Sequence, residues 1–484
     1  MDPFIHYAAQ VKPSERQIEW QKTEFYAFIH FTMNTFTDKE WGLGDEDPAI
    51  FNPVQFDADQ WVSACKSAGM KGLILTCKHH DGFCLWPSRF TDHSVKSSPW
   101  KDGQGDMVKE VADACRRGGI KFGVYLSPWD RHELSYGDSP AYNAFFKGQL
   151  RELLTEYGEL FCVWFDGACG EGPNGKKQVY DWDGYVEIIR ELQPNAVISV
   201  CGPDVRWCGN EAGYTRESEW SVVPAVLTNK EKIMADSQQE DDGEFSRRID
   251  TMVPDLGSRE VIRNYDELVW YPAEVNTSIR PGWFYHASED DQVRSLEELL
   301  DIYYGAVGGN ATFLLNLPPD QRGLIHENDV KRLKELGSVI SRTFQDNLAV
   351  HATAEASSTA MASCHVNKIF DGDPETYWHS PEGTEQAVIE IDLQEEQTFD
   401  RIVLMEHIRS GQRIERFYIS CKLGDVWHDI HHGTIVGYKR ICRMDRVTTR
   451  HIRLTITESR QCPTLSSFGV YKEAPPYTKG ESTG

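Results

Sequence analysis

Five short apolar runs in the first two hundred residues, four of them followed by a helix-like segment, constrain this chain more than any other feature. YAFIHF (26–31), GLILTCKH (72–79), KFGVYLS (121–127), CVWFD (162–166) and AVISV (196–200) carry apolar side chains on consecutive positions. That pattern belongs to strands covered on both faces, as in parallel sheets. Between them, DADQWVSACKSAG (57–69), GDMVKEVADACRRGG (105–119), SPAYNAFFKGQLRELLTEYG (139–158) and YVEIIRELQP (185–194) show helical periodicity. Most begin near Asp or Ser and end near Gly or Pro, the usual start and stop signals. The repeat continues less regularly through GWFYH (282–286), SLEELLDIYYGAVGG (295–309) and TFLLNLP (312–318). The expected class is α/β, a distorted (β/α)8-like barrel in preference to a doubly wound sheet.

After the helix-like DVKRLKELGSVISRTF (329–344) the texture changes. AVIEIDL (387–393), FDRIVLMEHI (399–408), IERFYISCKL (414–423) and RHIRLTIT (450–457) alternate apolar and polar residues with no helix between them. Such a series predicts a β-sandwich. The boundary falls near Gln345, giving a barrel over 1–345 and a β domain over 346–484. At 484 residues the chain is long enough for both cores.

The formal charge of -25 argues against a broad nucleic-acid footprint or attraction to anionic lipid, both of which need clustered Lys and Arg. No apolar run approaches the roughly 18 to 20 residues that cross a bilayer. MDPFIHYAAQ lacks a basic start and an apolar core of leader type, which predicts a cytoplasmic protein or a secreted or periplasmic form with its leader removed. The twelve cysteines include no CxxC pair, and Cys77, Cys162 and Cys201 sit within strand runs. They read as buried free thiols, which favours the cytoplasm.

In a β/α barrel the reactive groups stand at the C-terminal ends of the strands. His30 lies late in the first run, His79 and His80 at the second, Tyr125 in the third and Asp166 in the fourth. Asp166 is the most demanding, because a carboxylate directly after VWF must be paired, hydrogen-bonded or protonated. A helix cap or an Arg partner would also satisfy it. FIHFTMNTF, EWG, CKHHDGFCLW, YLSPWD and VWFDGA occur in this order within residues 20–320. Together they resemble the retaining α-L-fucosidases of glycoside hydrolase family 29.

The resemblance implies Asp166 as nucleophile. Retaining glycosidases need a second carboxyl group roughly 5 to 5.5 Å away, alternating between acid and base. Glu171, Glu187, Glu191, Glu211, Glu217 and Glu219 follow Asp166. Glu187 and Glu191 lie one turn apart on a helix and read as a solvated face. CGPDVRWCGNEAG (201–213) follows the fifth run and resembles the acid/base loop of the branch that cleaves α-1,3 and α-1,4 fucose from branched glycans. Glu211 is therefore the expected acid/base, with Glu217 second, and an ion pair to Arg206 or Arg216 is its non-catalytic alternative.

The resemblance also implies that His30, Glu40, His79 and His80 bind fucose hydroxyls, and that Trp41, Tyr125 and Trp164 surround the ring. Trp283 would face the C6 methyl, whereas core packing is the competing role for Tyr125 and Trp164. His79, His80 and Asp81 raise a metallohydrolase alternative. Adjacent strand residues point to opposite faces, which opposes shared ligation unless the strand end bends. No catalytic metal or other cofactor is expected; Asp81 is expected to brace its loop.

AEASSTAMASCHVNKIFDGDPETYWHS (354–380) resembles the opening of a discoidin-like jelly roll, a fold that often binds carbohydrate. Its DGDPET loop makes Asp371, Asp373 and Thr376 candidate ligands of a structural calcium. Trp378 is expected in the core, while His379, Arg409, Arg413, Trp427 and His428 could grip a sugar or brace the barrel. The expected partner is a fucosylated oligosaccharide or glycoconjugate. The alternatives are a linkage-promiscuous fucosidase and a carbohydrate-binding protein without catalysis.

Overall fold

The computed structural model describes residues 2–238 and 252–476. Eight strands form one sheet: β1 (Phe25–Ile29), β2 (Gly72–Lys78), β3 (Lys121–Leu126), β4 (Cys162–Phe165), β5 (Val197–Val200), β6 (Arg206–Trp207), β7 (Ala273–Ser278) and β8 (Thr312–Asn316). Their order is β5-β4-β3-β2-β1-β8-β7-β6, every pair parallel. A single parallel bridge between Ser199 and Val205 brings the two edges together. The result is a nearly closed (β/α)8-like barrel.

The crossovers are α1 (Ala58–Ser67), α2 (Met107–Gly118), α3 (Ser139–Glu156) and α4 (Trp182–Leu192), with α5 (Leu296–Ala306) and α6 (Glu327–Phe344) later. Asp57, Asp106, Asp181 and Ser295 cap α1, α2, α4 and α5 by accepting backbone N–H bonds. Each cap supplies a partner for N–H groups that the helix cannot satisfy. Leu73, Ile74, Leu75, Val124, Val163, Ile198 and Leu314 are all buried in the barrel core.

Two elements depart from the expected repeat. β6 follows β5 without a helix, and GWFYH (282–286) is a turn whose place in the barrel is taken by β7 upstream. β7 reads AEVNTS, and its alternate residues Glu274, Asn276 and Ser278 turn polar groups inward. Glu274 accepts hydrogen bonds from Tyr26 of β1 (2.5 Å) and Trp164 of β4 (2.7 Å), which places it between opposite walls. A strand whose inward face is polar lacks the apolar run by which its neighbours are recognised.

The C-terminal domain is an antiparallel sheet of β9 (Thr353–Ala356), β10 (Ala387–Met405), β11 (Ile414–Leu423), β12 (Val426–Gly433), β13 (Arg440–Ser459) and β14 (Ser467–Tyr471). The order is β9-β10-β13-β11-β12, with β14 also on β10. Trp378 is fully buried there, alongside Ile389, Phe399, Ile402 and Leu454. The domain docks on the barrel through Phe344 against Tyr471 and through paired backbone bonds between Gly308–Asn310 and Lys439–Ile441.

No helix among the described residues is long and apolar enough to cross a membrane. All twelve cysteines are free thiols.

Candidate active site

A cleft opens at the C-terminal ends of the strands. His30, Glu40, Trp41, His79, His80, Trp164, Asp166, Glu211 and Trp283 all line it. Asp166 follows the last residue of β4, where the chain leaves the sheet. Its Oδ2 accepts from the Tyr125 hydroxyl at 2.8 Å and its Oδ1 from the Ala168 N–H at 3.0 Å. Its side chain remains 23 % exposed, so it is held but open to the cleft.

Glu211 enters on the loop after β6, a tight turn that requires left-handed backbone at Gly209 (φ 105) and Gly213 (φ 82). Asn210 ties the turn, its Oδ1 accepting from Ala212 N and Tyr214 N. Burial and, less strongly, the charges of Asp166 and Glu40 push the Glu211 carboxyl up to about 8 against the opposing bond from Trp283. That bond runs from Trp283 Nε1 to Glu211 Oε2 at 2.8 Å. Arg206 and Arg216 do not pair with Glu211; both are taken by the buried Glu219 at 2.7 and 3.0 Å. Glu217, Glu171, Glu187 and Glu191 are exposed and lie outside the cleft lining.

Three imidazoles line the same cleft in their neutral form. Burial lowers His30 to about 3, His80 to about 4 and His79 well below its usual value. The hydrogen bonds also fix two tautomers. Asn316 Nδ2 donates to the Trp283 carbonyl, so its Oδ1 faces His30 Nδ1 at 2.8 Å and that nitrogen carries the proton. Ser127 donates to the Trp129 carbonyl, so His80 Nδ1 donates to Ser127 at 2.7 Å. Each ring therefore leaves Nε2 as an acceptor, and His80 Nε2 lies 3.8 Å from Asp166 Oδ2.

Three sequence expectations take a more particular form here. Tyr125 is fully buried beneath the cleft and meets Asp166 instead of lining the wall. Glu40 lines the cleft but its carboxylate is engaged with protein: Oε2 accepts from Trp283 N at 2.8 Å, and Oε1 meets Phe284 N and His286 Nε2. That pairing, with Asp38 on the other ring nitrogen, raises His286 to about 9. Lastly, β2 ends at Lys78, so His79 and His80 lie beyond it and strand alternation does not separate them. Their ring centroids are 4.0 Å apart, and with Asp166 they form a donor cluster that a metal ion could use. Asp81 braces its loop, accepting from Thr32 Oγ1 and Phe83 N.

Trp164 stacks on Tyr125 and donates to Glu274; Trp41 meets His80 edge to face. Glu274, Asn316, Ser127 and His286 escaped sequence reasoning. A glutamate in AEVNTS and an asparagine closing TFLLN were the available signals.

In the C-terminal domain, Asp371 and Asp373 are exposed and committed to their own turn. Asp371 accepts from Asp373 N and Thr376 Oγ1, and Asp373 accepts from Glu375 N. Those bonds, rather than a convergent oxygen shell, use the carboxylates. Arg409 pairs with Glu15 and Glu375, Arg413 donates to Ser410 and Cys462 carbonyls, and Arg453 covers Trp427. His379 Nδ1 contacts the Ser380 carbonyl, and His428 is exposed on β12.

A barrel with carboxyls, histidines and tryptophans lining one open cleft, joined to a β domain, has the side chains that a glycoside hydrolase uses. Residues 3–343 match the family model for α-L-fucosidase, and residues 353–467 match that for the F5/8 type C domain. The chain belongs to the α-L-fucosidase family, glycoside hydrolase family 29, and carries a C-terminal F5/8 type C domain. It is 41% identical to alpha-L-fucosidase 1 of Arabidopsis thaliana over 468 residues, 95% of this chain and 87% of that protein. A Ruminococcus gnavus GH29 fucosidase crystallised with fucose superposes with a TM-score of 0.83 at 33% identity, covering 96% of this chain and 95% of that one. A family 29 member from a rumen bacterium gives 0.78 at 39% identity, covering 97% and 79%. The protein is an α-L-fucosidase.

Proposed function

We propose that the enzyme is an exo-acting, retaining fucosidase that releases α-1,3- and α-1,4-linked fucose from branched, Lewis-type glycans by double displacement. The observation that carries this reading is the contrast within one cleft: Asp166, open and held by two donors, beside Glu211, raised to about 8 and therefore protonated at neutral pH. Environments that separate two carboxyls in this way assign nucleophile and acid.

Asp166 attacks the anomeric carbon while Glu211 gives its proton to the leaving glycosidic oxygen. The resulting glycosyl-Asp166 ester is hydrolysed by a water whose proton returns to Glu211, releasing fucose with its configuration retained. The Nε2 lone pairs of His30 and His80 accept sugar hydroxyl protons, and His79 faces the same sugar. Trp41, Trp164 and Trp283 supply apolar wall, with Trp283 toward the C6 methyl. Glu40 acts mainly by fixing the Trp283 backbone. Linkage preference rests on CGPDVRWCGNEAG, and the tie of Arg409 to Glu15 of the barrel favours a bracing role for the β domain over glycan binding, while Arg413 is spent within its own domain.

Incubation with a Lewis-type trisaccharide and with an α-1,2-linked fucoside, following free fucose by NMR with Asp166→Ala as control, tests each part. Release of the retained anomer from the branched sugar alone supports the whole reading. Equal release from both discards the linkage preference, and first release of the other anomer discards double displacement.

A further inference from the structure

The strand-to-strand loop that carries Glu211 returns through residues 215–222 before the chain reaches Val222–Pro224, and this return limb is held from the C-terminal domain. Gln412, fully buried, accepts from Ser221 N at 2.9 Å. Thr434 Oγ1 and Arg440 Nη1 both donate to the Glu217 carbonyl, at 3.2 and 3.0 Å. Asn310, itself fixed by Tyr438 N on its Oδ1, donates to the Glu219 carbonyl at 2.8 Å.

The limb passes that restraint back to the catalytic turn. The Glu219 carboxylate joins Arg206, the first residue of β6, to Arg216. Arg216 Nη1 also donates to the Cys208 carbonyl at 2.7 Å, three residues before Glu211. A continuous set of bonds thus connects the β domain to the turn that presents the proton donor.

We propose that the C-terminal domain is a positioning element for the reaction, with Gln412, Thr434 and Arg440 holding the Glu211 loop in register with Asp166. This rests on the reading of Glu211 as acid/base. The physical basis is that a general acid must meet the leaving oxygen within hydrogen-bond reach, and a displacement near 1 Å can cost about 100-fold.

The test uses the full-length enzyme with two substrates: a Lewis-type trisaccharide, whose sugar leaving group needs a proton, and α-L-fucosyl fluoride, whose leaving group needs little assistance. We expect Gln412→Leu, and independently Thr434→Val combined with Arg440→Ala, to lower kcat/KM on the trisaccharide about tenfold. The value for the fluoride should change less than about twofold. A merely structural role would lower both substrates together by reducing the folded fraction, and that result, or no change in either, overturns the proposal. The half-buried Thr434/Arg440 pair keeps the test decisive if Gln412→Leu does not fold. Glu211→Gln is measured alongside: if it shows no leaving-group dependence, the acid/base assignment fails and the inference falls with it. If it shows that dependence and the domain variants do not, only the inference fails.

Discussion

Trp283→Phe isolates one cause of the Glu211 protonation state. The indole N–H donates to Glu211 Oε2 at 2.8 Å and stabilises the ionised form, opposing the burial and the charges that bring the group to about 8. Phenylalanine keeps the apolar wall and loses the donor. The backbone stays fixed, because Trp283 N is held by Glu40 and Trp283 O by Asn316. A hydrogen bond to a charged group contributes roughly 1.5–3 kcal/mol, and about 1.4 kcal/mol corresponds to one pH unit. Allowing for water entering the vacated space, the Glu211 midpoint should rise by about one pH unit. Because Glu211 must be protonated, kcat/KM falls as pH rises through its pKa; the basic limb should therefore move from about 8 in the wild type to roughly 9 in the variant. The assay is kcat/KM on a trisaccharide across pH roughly 5 to 10. A lower amplitude is expected and irrelevant to the midpoint. His286 is the rival owner of that limb, since its pairing with Glu40 and Asp38 places it at about 9. An unmoved or lowered limb would refute the assignment to Glu211.

The same carboxyl makes a stability prediction. Its folded pKa lies above the ordinary value of 4.5, so its contribution is full below about 4.5 and lost as pH rises through about 8. Glu211→Gln does not titrate, so its Tm should exceed the wild-type value above pH 8 and the gap should close toward acid; a constant gap argues against the raised pKa. Glu274→Ala leaves the buried Trp164 donor without its acceptor, at roughly 1–3 kcal/mol, while the Tyr26 hydroxyl can turn to Thr312 Oγ1 at 3.0 Å. Urea unfolding should show a loss of that size, with Glu274→Gln much milder, and a cost under about 0.5 kcal/mol for Ala would contradict the network. At the Asp371 turn, Ca²⁺ at about 1 mM, the range of weak calcium modules, should leave Tm unchanged because the carboxylates are already engaged. A clear rise that Asp371→Ala abolishes would instead establish a cation site.

How much was legible in the sequence follows from which side of a strand the side chains serve. β1 to β5 announce themselves because apolar residues occupy both faces, one toward the helices and one toward the barrel interior. β7 does not, because Glu274, Asn276 and Ser278 point inward as a polar network. β6 is two residues long and gives no period to detect. The residues lining the cleft were legible chiefly through the family motifs. Their partners were not, since Asn316, Ser127 and His286 meet His30, His80 and Glu40 from elements distant in the chain. Strand alternation failed for His79 and His80 for a local reason: the ladder ends one residue earlier.

The buried supports and the cleft form one electrostatic arrangement. Three histidines are held neutral, so their nitrogens add hydrogen-bonding capacity without adding a cation that would pull the Glu211 pKa down. Lys78, the nearby buried cation, is neutralised by Asp130 at 2.8 Å and also meets Gln149. Burial above all, with the charges of Asp166 and Glu40, raises Glu211 against the Trp283 bond, and the cation at the rim, His286, is spent on Glu40 and Asp38. Replacing His80 by Lys should therefore damage the enzyme twice, by losing the acceptor at Nε2 and by lowering the Glu211 pKa. The second effect should appear as a basic limb displaced toward acid, which His80→Asn, losing the ring without adding charge, should not show.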